Sequence, residues 1–121
     1  MPPFYQEYSK VLVSVDCVIF GFSEKNLKLL IQKRPYEPNA GELSLIGGFV
    51  KNNENVSDAA SRVLTEFTGL QNVYMQQLGV FGDVERDPGE RVISVVYYAL
   101  IDVGEYNEKL SEEHNAQWVS V

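Results

Sequence analysis

Between Val56 and Leu70 the apolar residues Val56, Ala59, Ala60, Val63, Leu64, Phe67 and Leu70 recur at intervals of three and four. That spacing puts them on one face of a helix, so the segment must bury this face against another layer. Asn55 or Ser57 can cap its start, Asp58 suits the positive end of its dipole, and Gly69 can close it in a left-handed conformation. The flanking chain follows a different period. Val11 to Phe20 alternates and then runs apolar, Leu27 to Lys33 is a second β-like run, and the turn from Gly21 to Asn26 makes the two an antiparallel hairpin. Two prolines and Gly41 carry the chain out of the sheet between Arg34 and Gly41, before a short apolar segment from Leu43 to Ile46 and the pair Gly47-Gly48. Beyond the helix, Val73 to Phe81 and Val92 to Val103 read as strands joined by a charged loop, Val84 to Arg91, in which Asp87-Pro88-Gly89 fixes a turn. Glu105 to His114 predicts a short acidic helix before a last strand, Ala116 to Val121. This order of elements implies an α+β chain, a mixed β-sheet packed against helices.

Length and charge narrow the function. The 121 residues fit one domain, 1–121, and 45% hydrophobic content is enough to fold it. Seventeen acidic residues against ten basic ones give a net charge of −7, a field that repels phosphate backbones and anionic membranes. DNA or RNA binding by this chain alone is therefore disfavoured. The opening residues lack the basic start and apolar core of a secretory signal, and no run approaches a membrane span, so a cytoplasmic protein is expected. Cys17, the one cysteine, lies in an apolar strand and reads as a buried thiol. His114, the one imidazole, sits in an acidic stretch and reads as a surface or capping residue.

Gly48, Glu54, Arg62, Leu64, Glu66, Gly69 and Leu70 stand at the spacings of the Nudix box, and the resemblance covers 23 consecutive positions. Gly41-Glu-Leu-Ser-Leu-Ile-Gly-Gly48 resembles the segment that leads into that box. The resemblance implies a Nudix fold, an α/β/α sandwich whose closing C-terminal helix this sequence does not reach. In the family's hydrolases three box glutamates on one helical face hold Mg²⁺ against a diphosphate. The corresponding residues here are Val63, Glu66 and Phe67, and two of them offer no oxygen to a hard cation. The sequence therefore predicts no metal cofactor. The alternative is a rearranged Mg²⁺ site built on Glu66 and Glu54, with Glu42 as a further candidate.

A degraded box of this kind, with Arg62 to Leu70 and Phe81 to Ser94, resembles the Nudix-related transcriptional regulators. In those proteins an N-terminal Nudix domain senses a metabolite and a C-terminal winged helix binds DNA. The resemblance implies a non-catalytic sensor that acts as a homodimer and meets DNA only through a domain beyond this chain. Its effector would be ADP-ribose or a related metabolite, or a free pentose as in the arabinose-responsive branch, to which Val73 to Gln77 and Tyr97 to Ala99 are similar. A diphosphate ligand would call on Lys33, Arg34, Arg86 and Arg91. A sugar would call on Asp16, Glu42, Asp83, Arg86 and Asp87 with an aromatic neighbour. The candidate ligand-binding set is thus Asp16, Arg34, Glu42, Arg86, Asp87 and Arg91, and Asp16 stands out as a carboxylate inside an apolar strand that must find partners or face a pocket. An active Nudix hydrolase and a pure interaction or dimerisation module remain the alternatives.

Overall fold

The valine-rich run becomes β1 (Leu12–Ser23), and a turn at Glu24 and Lys25 returns it antiparallel into β2 (Asn26–Lys33). The computed structural model describes residues 3–34, 40–84, 90–106 and 115–121. The turn is tighter than the sequence suggested, with Glu24 at φ 52°. The cause is tertiary: β1 runs on past Phe20 because it pairs in parallel with β6 (Val92–Asp102) as far as Phe22 opposite Asp102. Beside β2 lies β3 (Leu43–Ser44), and β4 (Ile46–Phe49) runs antiparallel to the first half of β1. Strand β5 (Gln76–Phe81) borders β6, and β7 (Ala116–Ser120) lies along β2. The hairpin and the mixed sheet follow the sequence reading, and the class is α+β.

Helix α1 (Val56–Thr68) buries Ala59, Ala60, Val63 and Leu64 against Val15, Cys17 and Ile19 of β1 and Ile46 of β4. The odd-numbered residues of β1 therefore face the helix, and the even-numbered ones face away, as the pleat requires. Cys17 is fully buried, its thiol donating to the Ala60 carbonyl at 3.6 Å, and burial first and Asp16 second push its pKa up to about 12. It is a packing residue. Gly69 ends the helix at φ 81°, donating to the Thr65 carbonyl at 2.9 Å, as its position in the sequence implied.

Three local expectations are corrected. Asn55 occupies the N-cap, but its side chain accepts no helix N–H and instead donates to Asp58 at 3.1 Å. Val73 and Met75 are drawn onto the core instead of starting a strand, so β5 begins at Gln76. Helix α2 (Val103–Tyr106) starts earlier than Glu105, because Val103 is buried over Gly21 and the Asp102 carboxylate accepts the Gly104 N–H at 2.9 Å. The rest of the predicted acidic helix, with His114, lies outside the described residues. Among the described residues no helix is long and apolar enough to cross a membrane.

The link from β4 into α1 is fixed by Glu54, whose carboxylate accepts Arg62 Nε at 2.8 Å and Nη2 at 2.9 Å, and the Lys51 N–H at 3.0 Å. Arg62 first and the Lys51 amide second hold this carboxyl down at about 2, from an ordinary 4.5. Because the folded pKa is depressed, the stabilisation is present above the unfolded value and is lost as the pH falls toward 2. The Tm difference between the wild type and Glu54→Gln should thus be largest near neutral pH and close progressively below about 4.5; a constant difference would deny the carboxylate's charge any part. Packing above the same helix yields a second expectation. A methyl group added at Gly48 would lie 2.9 Å from Val63 Cγ2, and Val63 is fully buried with a stiff β-branched side chain. Gly48→Ala should cost about 1–3 kcal/mol in denaturant titrations through overpacking, and Gly48→Ala combined with Val63→Ala should recover part of that loss.

Candidate functional site

The even-numbered residues of β1 and β6 turn away from the core and floor a cleft of about 810 Å³, within the size range of small-molecule sites. Ser14 and Asp16 of β1 lie there beside Ser94 and Val96 of β6. The Ser14 and Ser94 hydroxyls, both buried, are 2.6 Å apart and bonded to each other. Gln32, almost fully buried, and Arg34 come from the end of β2. The walls are apolar and aromatic: Phe49 of β4, Phe67 of α1 and Phe81 of β5.

Backbone geometry places Asp16 and Arg34 at this cleft. Asp16 stands opposite Gly47 in the β1–β4 ladder, and any Cβ at 47 would collide with its carboxylate. Glycine there is what lets the Asp16 side chain lie over the neighbouring strand. Arg34 is held by its own main chain, its N–H donating to the Glu42 carbonyl at 2.7 Å and its carbonyl accepting from Gly41 at 2.8 Å.

Arg62 also borders the cleft, but its donors are already committed. Besides the two bonds to Glu54, it donates to the Phe49 carbonyl at 2.7 Å and through Nη1 to Glu66 at 3.1 Å. A guanidinium has five N–H groups, so one is left for a ligand. Of its two carboxylate partners Glu54 holds it more closely, and the Glu66 side chain, one turn on, is half exposed.

The donor set does not fit the Mg²⁺ of a Nudix hydrolase. Val63 is buried between α1 and β4, Phe67 presents a ring to the cleft, Glu54 is bound to Arg62, and Glu66 is left as the carboxylate on this helix face. Among the described residues no group of three or more His, Cys, Asp or Glu could hold a metal ion. The three-carboxylate set with which the family's hydrolases hold Mg²⁺ is thus reduced to Glu66 on this helix face.

Of the residues singled out from the sequence, the fold brings Asp16, Arg34 and Glu66 to one cleft. Glu54 lies just behind it, committed to Arg62. Glu42 is exposed and does not line the cleft, and Arg91 turns its guanidinium to the Gly82 carbonyl. Arg86 and Asp87 lie outside the described residues. Sequence reasoning missed Ser14, Ser94 and Gln32 and the three phenylalanines of the walls. The two serines carried the same signal as Asp16, a polar side chain inside an apolar strand run, but their pairing depends on the parallel register of β1 with β6.

Comparison with known proteins agrees with this architecture. Residues 10–121 match the family model of the NUDIX domain. The chain is 31% identical over 117 residues to the ADPR responsive transcriptional repressor NtrR of Acinetobacter baylyi, covering 95% of this chain and 47% of the repressor. It is 39% identical over 99 residues to an ADP-ribose pyrophosphatase of Methanocaldococcus jannaschii, covering 82% of this chain and 55% of that enzyme. The chain thus spans about half the length of these relatives. Among solved structures, the NUDIX domain of Shewanella oneidensis NrtR in complex with ADP ribose superposes with a TM-score of 0.78 at 26% identity, covering 99% of this chain and 78% of that one. A box spaced from Gly48 to Leu70 on a strand-to-helix link, a mixed sheet with that helix on one face, and a family match over 10–121 lead to one conclusion: this chain belongs to the Nudix family.

Proposed function

We propose that the chain is the effector-sensing Nudix domain of a transcriptional regulator and binds ADP-ribose or a close analogue without a divalent metal and without turnover. The observation that carries this reading is the fate of the box acids: Val63 is packed into the core and Phe67 walls the cleft, so the helix keeps Glu66 where a hydrolase would present three carboxylates. The cleft retains what recognition needs. Arg34 can supply a planar fork to a diphosphate, Asp16, Gln32 and the serine pair can engage ribose hydroxyls, and Phe49, Phe67 and Phe81 offer faces to a flat base. Similarity to an ADP-ribose-responsive repressor and to an NrtR domain complexed with ADP ribose favours this ligand over a free pentose. The net charge of −7 leaves DNA contact to a further domain of the whole protein.

Catalysis is the competing reading, favoured by the 39% identity to an ADP-ribose pyrophosphatase. Both readings meet in one experiment. Calorimetry with ADP-ribose should give the same affinity in EDTA and in Mg²⁺, and the recovered ligand should be intact. Arg34→Ala should weaken binding about tenfold or more, since a hydrogen bond to a charged group contributes roughly 1.5–3 kcal/mol. Release of AMP that requires Mg²⁺ and disappears in Glu66→Gln would establish the enzyme instead. Heat from a pentose alone, with none from ADP-ribose, would redirect the ligand assignment.

A further inference from the structure

One polar side chain lining the cleft has no hydrogen-bond partner among the described residues: Gln32, which is only 5% exposed. The other polar groups there are already engaged. The serine hydroxyls bond to each other or to main chain, Arg62 and Glu66 hold each other, and Asp16 and Arg34 make contacts within the folded chain. The backbone at Gln32 cannot shift to relieve its side chain, because β3 pairs with this residue through Ser44 on one edge of β2 and β7 pairs with it through Ala116 on the other. A buried carboxamide without a partner is a loss that folding does not recover, and a methionine would fill the same space without it.

We propose that Gln32 is the specificity-determining residue for a pentose cis-diol, its amide oxygen accepting from one hydroxyl and its NH₂ donating to the next, an inference that rests on the functional reading above. The ligand group follows from the chemistry of the amide and from its place on the strand. A carboxamide is neutral and offers an acceptor beside a donor. Its oxygen turns away a phosphate oxygen and its NH₂ turns away a cation, whereas two vicinal hydroxyls, each donor and acceptor, satisfy both ends at once. An extended chain advances about 3.3 Å per residue, so Gln32 stands about 7 Å along the strand from Arg34, whose planar fork suits a diphosphate. In a nucleoside diphosphate sugar the unit next to the diphosphate on either side is a pentose, and the base lies beyond it. Because the amide is buried on a strand paired at both edges, a ligand that lacks one of the two hydroxyls leaves half of it unpaired and is rejected.

Calorimetry with ADP-ribose and with its two analogues that lack the 2-hydroxyl of one ribose or the other tests this. The wild type should bind one analogue about tenfold or more weakly than ADP-ribose, which identifies the ribose that is read, and Gln32→Met should bind that analogue and ADP-ribose alike. The Tm of the variant should equal or exceed that of the wild type, since it loses an unpaired amide and no internal bond. A lowered Tm with the discrimination intact overturns the proposal and makes Gln32 a packing residue. Wild-type binding of ADP-ribose with no discrimination against either analogue overturns it too, and leaves the functional reading standing. If ADP-ribose gives no heat, that reading falls, and ribose against 2-deoxyribose decides by the same comparison: a wild type with no preference for ribose overturns the proposal. Should Gln32→Met fail to fold, the side-chain amide resonances of Gln32 in the saturated wild type must differ between ADP-ribose and the weaker analogue, and identical shifts overturn it.

Discussion

The parallel ladder between β1 and β6 runs for eleven pairs, from Leu12 opposite Val92 to Phe22 opposite Asp102, and the architecture of both faces depends on it. Paired residues in such a ladder share a face. Val15, Cys17 and Ile19 thus join Tyr97, Ala99 and Ile101 in the core, and Ser14 is carried to Ser94 on the other side. A one-residue slip of β1 would turn its core-facing set outward and push Ser14 and Asp16 under α1. The hydroxyl pair at 2.6 Å satisfies two buried polar groups against each other, so the correct register is rewarded where a slipped one would leave them unpaired.

On top of that frame, Arg62 ties three pieces of chain together. It reaches the loop through Glu54, the end of β4 through the Phe49 carbonyl and its own helix through Glu66. The bidentate contact with Glu54 is a stronger tie than an exposed pair one turn apart, because two parallel N–H bonds fix direction as well as charge. This arrangement keeps the entrance to α1 rigid although Asn55 supplies no side-chain cap.

What the sequence disclosed followed from local periodicity. The three-four spacing from Val56 gave α1 to within two residues at its end, and the valine-rich runs gave β1, β2 and β6. Gly69 was legible because a helix that stops needs a left-handed residue. Boundaries decided by distant partners were not: β1 outlasts Phe20 because β6 accompanies it, and Val73 and Met75 leave the strand pattern because the core takes them. In the site, Asp16 could be suspected from its apolar neighbours, and the losses at 63 and 67 could be read directly against the box. Gln32 and the aromatic walls could not, since a glutamine at the end of an amphipathic strand and three phenylalanines far apart in sequence meet only through the folded sheet.

The seat of Val63 beneath Gly48 also bears on how such a domain can change. Its side chain is sealed between helix and strand, so a glutamate introduced there alone would place an ion in an apolar gap long before a second carboxylate at 67 could share a cation with it. A glutamate at 63 alone would therefore cost fold stability without assembling the three-carboxylate set of a Nudix hydrolase. The barrier to that change is steric, set by the packing of one valine against one glycine.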